Sequence, residues 1–219
     1  MLRVSNYNGV EFVGVYAVAN EDMALLPMDS DDRFQEDVAI ALDVECSRGT
    51  IASTNLLGSL VAMNSYGAAV TSFATDDELR AFRKLKVMRL EDRLNACGNN
   101  ILVNDRGCLI NPEMDERTVR VLEELFEVDV VQAPIAGQNT VGSVCKATNK
   151  GLICHPAASK DDLRLLKRHF KVEPRITTLN YGSPYVGASI VANSKGGVVG
   201  ARSTPIEQGR VEEALDIIG

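Results

Sequence analysis

The chain has 219 residues, 24% of them charged and 45% hydrophobic, with few aromatics and no Trp, a composition that fits a soluble globular protein and excludes a disordered or fibrous one. Its 30 acidic residues against 23 basic ones give a formal net charge of -7 with no Lys/Arg block, so little direct nucleic-acid contact is expected and a basic protein surface is the better partner. No apolar run reaches the roughly 18 residues of a membrane span and no leader pattern follows Met1, so no membrane partner and a cytoplasmic location are expected.

Taken in order, the chain opens on an apolar strand, Leu2 to Ser5, and then runs through one pattern five times. The first copy carries Gly14 and Asn20, followed by a helix around Asp32 to Ile40 that reads as short, with an ambiguous cap. In the second, the apolar runs Leu56 to Met63 and Ala68 to Phe73 flank Asn64-Ser65-Tyr66-Gly67, whose Asn and Gly sit where a type I turn favours them, so a hairpin is expected. Thr75 and Glu78 then form a capping box, Leu79, Phe82 and Leu85 recur at helical spacing, and Val87 to Leu90 reads as a strand.

The third copy repeats the turn at Asn104 to Gly107, with a helix over Asp115 to Phe126 whose apolar stripe is Val119, Leu122 and Phe126, and a strand at Val128 to Gln132. The fourth reads Asn149-Lys150-Gly151, one residue shorter, then a weaker capping signal at Ser159 to Asp162, a helix stripe of Leu163, Leu166 and Phe170, and a strand at Ile176 to Leu179. The fifth has Asn193 to Gly196, a capping box from Thr204 to Glu207 with Pro205 at the first helical position, and a stripe of Val211, Ala214, Leu215 and Ile218.

Aligned on Asn20, Asn64, Asn104, Asn149 and Asn193, the copies lie 44, 40, 45 and 44 residues apart. A glycine precedes the asparagine by six residues at Gly14, Gly58, Gly98 and Gly187, and by seven at Gly142. A second glycine follows at Gly67, Gly107, Gly151 and Gly196, whereas Met23 stands there in the first copy. A fixed period of this size marks one supersecondary unit used repeatedly. The last copy lacks a trailing strand and Leu2 to Ser5 is unclaimed, so the N-terminus is expected to complete the C-terminal unit and close the array. The expected fold is a five-bladed, pseudo-fivefold α/β ring with strands inside and helices outside. It forms a single domain over 1–219, with units at about 12–55, 56–97, 98–139, 140–182, and 183–219 completed by 1–11.

Chemistry is sparse. Five cysteines without a C-x-x-C pair indicate neither a disulfide framework nor zinc, and Cys97, Cys108, Cys145 and Cys154 fall in predicted strands as small core residues. His169 reads as a solvated helix residue, while His155 is adjacent to Cys154 and therefore on the opposite strand face, so no nucleophile and base pair emerges. Asp29, Asp31 and Asp32 read as a solvated helix start, and Glu123, Glu124 and Glu127 as a wet helix face. No phosphate loop is present, and no cofactor, metal or catalytic residue is expected.

The stretches Arg93-Leu94-Asn95-Ala96-Cys97-Gly98-Asn99, Val141-Gly142-Ser143 and Asn149 through Pro156, with the helix Asp115 to Phe126, resemble the archaeal translation initiation factor 6 family end to end. The resemblance implies the pentein fold. It also implies binding to the large (50S) ribosomal subunit, on the face that meets the small subunit and mainly through a ribosomal protein, which sterically prevents association of the subunits. Equivalent positions circle one end of the pseudo-axis, and the residues after the leading glycines, Val15, Ser59, Asn99, Ser143 and Ala188, form one such set. The resemblance places Gly14, Ser59, Asn99, Val144 and the Gly187 region on or near the ribosome-facing side. The leading glycines themselves read as structural, opening a strand where backbones approach closely. The expected protein is a monomer. The alternatives are a Cys-dependent amidine-modifying enzyme, which the pentein fold also hosts, and a generic protein-binding scaffold.

Overall fold

The computed structural model describes residues 1–82 and 85–217; Ile218, expected in the last helix stripe, lies outside them. The chain begins with β1 (Leu2–Ser5). The first unit is a helical turn α1 (Val13–Tyr16), β2 (Val18–Ala19), β3 (Met23–Pro27), helix α2 (Asp32–Leu42) and β4 (Glu45–Gly49). The second is α3 (Leu57–Leu60), β5 (Val61–Met63), β6 (Gly67–Thr71), α4 (Asp76–Leu79) running into a 3-10 turn (Arg80–Phe82), and β7 (Lys86–Leu90). The third is α5 (Cys97–Asn100), β8 (Ile101–Val103), β9 (Cys108–Ile110), α6 (Glu116–Phe126) and β10 (Val130–Gln132). The fourth is α7 (Val141–Val144), β11 (Cys145–Ala147), β12 (Gly151–Cys154), α8 (Lys160–Phe170) and β13 (Glu173–Ile176). The fifth is a 3-10 turn (Gly187–Ser189), β14 (Ile190–Ala192), β15 (Gly197–Gly200) and α9 (Pro205–Leu215).

Among the described residues these strands form five three-stranded sheets, each an antiparallel hairpin with a third strand added in parallel after the helix. The fifth sheet takes its third strand from the other end of the chain, with Leu2 opposite Gly197 and Ser5 opposite Gly200. The protein is thus a five-bladed α/β ring.

Two circles of contacts run around its axis. A Cβ placed on Gly58 would meet Gly14 O at 2.0 Å, one on Gly98 would meet Gly58 O at 1.8 Å, and Gly142, Gly187 and Gly14 continue the cycle onto Gly98, Gly142 and Gly187 in turn. These glycines lie in the helical turns α1, α3, α5, α7 and the 3-10 turn, not at strand openings, because only a turn places five backbones close enough to pack carbonyl against Cα. The second circle lies at the opposite end, where Asn20 Nδ2 donates to Asn64 O, Asn64 to Asn104 O, Asn104 to Thr148 O and Asn193 to Asn20 O.

The fourth copy corrects the alignment. Thr148, not Asn149, occupies the turn position: Thr148 N donates to Gly151 O, and its Oγ1 accepts from Gly151 N. The leading glycine is then six residues ahead in all five copies and the turn has its full length, with a hydroxyl in place of the amide. A threonine is too short to reach Asn193, so the donor that would close the asparagine circle is missing there.

Each helix begins at the glycine end and finishes at the asparagine end, buried against the preceding blade. The last buried residue is Leu42, Phe82, Phe126, Phe170 or Leu215, each at 0% exposure. Full burial of such a side chain stabilises by about 1.5–3 kcal/mol. Helix ends pack on the second glycines, with Ala41 O, Leu125 O, His169 O and Ala214 O crowding the Cβ positions of Gly196, Gly67, Gly107 and Gly151.

The second helix, not the first, is short. Asp31 caps α2 cleanly, accepting from Phe34 N at 2.7 Å, and α2 runs 11 residues. By contrast α4 spans only 4 residues, despite a complete capping box at Thr75 and Glu78. The shorter spacing between Asn64 and Asn104 corresponds to one helical turn removed from this helix. Here Met23 replaces the second glycine, Asn20 makes no bond to a helix end among the described residues, and a cavity of ≈560 Å³ opens between Met23, Arg48 and Ala81. Smaller shifts also occur. The fourth parallel strand is Glu173–Ile176, three residues earlier than Ile176 to Leu179, because Pro174 is tolerated on an edge strand and Thr177 onward turns into the next loop.

Candidate functional site

The glycine circle pulls the expected contact set together at one mouth of the ring. Val15, Asn99, Ser143 and Ala188, all half-buried, line an axial cavity of ≈60 Å³. Ser143 Oγ donates to Asn99 Oδ1 at 3.2 Å, linking two neighbouring positions of the set. Ser59 is half-buried beside Gly58 but does not line that cavity, and Gly14 is half-buried where Gly187 is buried. Val144 has 0% exposure and packs in the fourth blade's core with Val141, Leu152 and Cys154. Its place on a partner-facing surface is therefore corrected: as the last residue of the helical turn α7 it points into the blade, one position beyond the half-buried Ser143.

Around the mouth stand loops built for rigidity. Four carry a two-residue bridge, as at Tyr7 with Val10 and Ile51 with Thr54, and their tips take left-handed backbone at Asn8, Ala52, Ser53 and Ala136. Helix-capping carboxylates hold these strained tips. Glu78 accepts from Thr75 N at 2.8 Å, Thr50 Oγ1 at 2.8 Å and Ser53 N at 2.8 Å, and Glu207 does the same for Thr204 N, Thr178 Oγ1 and Gly182 N. Burial opposes ionisation of Glu78, but the N–H groups of Thr75 and Ser53 and the hydroxyls of Thr50 and Thr75 outweigh it and pull the carboxyl down to about 2. Loops of successive blades also bind one another, as in Asn55 to Asp29 and Asn139 to Glu113. Asp92 reaches from its loop to Asp115 N and Thr118 Oγ1, capping α6 in place of Asp115, which makes no cap bond of its own.

The loops and caps of this end expose Asp29, Asp31, Asp76, Glu91, Glu113 and Asp115 against Arg93 and Arg202. The same end exposes Phe73 at 73%, Tyr181 at 75% and Ile206 at 70%, which the sequence did not single out because each follows a turn rather than a periodic stripe. The two histidines serve structure. His169 is not solvated: its Nε2 lies 2.9 Å from Cys108 O and docks α8 on the third blade, while His155 Nδ1 accepts from Ala157 N. Burial raises the thiols of Cys97, Cys108 and Cys145, and pushes Cys154 up to about 12, the opposite of what a nucleophilic thiol requires. Cys97 heads a helical turn rather than a strand.

The sequence pattern of the eIF-6 family matches residues 2–214. The chain belongs to the eIF-6 family. Similar proteins of this family bear the name Translation initiation factor 6. That of Thermoplasma acidophilum is 36% identical over 98% of this chain and 100% of its own length. Those of Haloquadratum walsbyi and Methanocaldococcus jannaschii are 38% and 37% identical, covering 98% and 97% of this chain and 96% of their own lengths. The eIF-6 family is thus a family of translation initiation factors, and the repeats, the ring and its mouth belong to this chain along its whole matched length. Among the described residues, no helix is long and apolar enough to cross a membrane.

Proposed function

We propose that this chain is a translation initiation factor that binds the large ribosomal subunit and keeps the small subunit from joining it. Membership of the eIF-6 family over nearly the full length carries this reading. The glycine-circle mouth is its natural contact surface. It is rigid, since five backbones lock it and capping carboxylates hold its loops, and a preorganised surface loses little entropy on binding. Its acidic rim suits a basic ribosomal protein better than RNA, with Val15, Ser59, Asn99, Ser143 and Ala188 near the centre and Gly14 beneath them. The acting species is a monomer in the cytoplasm.

The mechanism is occlusion and mass action. A factor that binds free large subunits but not joined ribosomes opposes joining by RT ln(1 + [L]/Kd), about 2.7 kcal/mol at a free concentration of 100 Kd. Added protein should raise the free-subunit peaks in a sucrose gradient and sediment with isolated large subunits. Asn99→Trp should abolish that co-sedimentation while the melting temperature stays within about 2 °C, since Asn99 is half-buried at an open mouth. Sedimentation with small subunits, or with neither, refutes the proposal.

A further inference from the structure

Four residues after each leading glycine stands an inner-strand position, occupied by Val18, Ala62, Leu102 and Val191 in four blades and by Lys146 in the fourth. The four apolar residues are buried between adjacent blades. Lys146 is half-buried in the same layer, where it lines the axial channel. That channel consists of the ≈60 Å³ cavity under the glycine mouth and a second of ≈30 Å³ toward the asparagine end, and Lys146 lines both.

Among the described residues, no carboxylate lies within ion-pair distance of the Lys146 ammonium, and it makes no hydrogen bond to a protein group. Glu21 and Asp105 line the smaller cavity but are occupied elsewhere. Glu21 accepts from Ser194 N and Oγ, Asp105 from Ser65 N and Oγ at 2.8 Å, and Asn149 Nδ2 bridges the two. The larger cavity holds no acidic side chain; besides Lys146, its polar side chains are Asn99 and Ser143. Burial pulls the Lys146 ammonium down to about 8 while Glu21 pushes it back up, so it is still protonated at neutral pH. An ammonium in such a channel with no carboxylate in ion-pair contact is costly to keep charged, and the cavity exceeds the roughly 10–15 Å³ that one water-sized occupant needs.

We infer that the cavity under the glycine mouth is a binding site for a small monovalent inorganic anion of halide size, held by the Lys146 ammonium in the axial channel. The inference does not rest on ribosome binding, and its test does not use ribosomes. Crystals of the full chain grown in sodium bromide should show an anomalous bromide peak within contact distance of Lys146 Nζ. In solution, the wild-type melting temperature should be about 3 °C or more higher in sodium chloride than in sodium gluconate at equal ionic strength, because gluconate is too large to enter. Lys146→Leu copies the residue that Leu102 already places in this layer, and should melt at the same temperature in both salts. Density for water alone at Nζ, or a chloride response that Lys146→Leu retains, overturns the inference. The bromide experiment decides even if that variant fails to fold.

Discussion

Gly98→Ala tests whether the glycine circle holds the ring. The added Cβ would sit 1.8 Å from Gly58 O and 2.8 Å from both Gly58 C and Val61 O, whereas ordinary contact begins near 3.4 Å. The obstacle is backbone and cannot rotate away. Gly58 must withdraw by more than about 1.5 Å, yet its own Cβ position already faces Gly14 O at 2.0 Å, so the displacement passes from blade to blade. Core overpacking costs about 1–3 kcal/mol where side chains can adjust. With backbone on both sides the expected cost is at least about 3 kcal/mol, a fall in Tm of roughly 6–12 °C for a chain of this size. Gly209→Ala is the matched control. It lies exposed inside α9 with nothing within 4 Å of its Cβ position, so alanine should gain about 0.5–1 kcal/mol of helix propensity and raise Tm by roughly 2–3 °C. Calorimetry and urea titration of the two variants measure the difference. If Gly98→Ala melts with the wild type, the close approach is not a constraint and the reasoning fails.

Asn64→Ala removes an amide that serves Phe126 O at 2.9 Å and Asn104 O at 3.3 Å and a carbonyl that accepts from Tyr66 N and Gly67 N, so urea titration should register a loss of about 2–4 kcal/mol. Thr148→Asn supplies the missing donor toward Asn193 and should raise Tm by roughly 2–4 °C, for a gain of about 1 kcal/mol. Glu78 has a folded pKa near 2 against an ordinary value of 4.5, so its contribution is fully present above 4.5 and is lost as pH falls toward 2. Glu78→Gln should therefore flatten the acid-side stability profile between those values, and an unchanged slope would show that this carboxylate does not clamp the loop.

The ring could be read from the sequence because its causes are repeated. One glycine approach occurs five times, and one asparagine turn and one helix stripe four times each, so each copy checks the others. What escaped was wherever one copy departs. The threonine at 148 hid behind its asparagine neighbour because both residue types cap turns, and it was the bonds to Gly151 that separated them. The shortened helix was masked by an intact capping box, since a cap signals where a helix starts and says nothing of where it stops. For the proposed contact site, spacing was enough to gather Val15, Asn99, Ser143 and Ala188 around one cavity, but not to tell that Val144 turns inward. Lys146 needed the channel, because an ordinary lysine on a strand gives no sign that it faces an axis.

The pairing of β1 with β15 bears on how the chain reaches this state. Leu2 meets Gly197 across 195 residues, while the other four blades are completed by neighbouring segments. Those blades can form while the chain is being synthesised, but β1 must wait, unpaired, until β15 has emerged. Joining so distant a pair carries the largest loop-closure cost in the molecule and belongs late in folding. The same seam is then the first place a trapped intermediate would expose a free strand edge, and the place where a neighbouring copy could donate its own N-terminal strand instead.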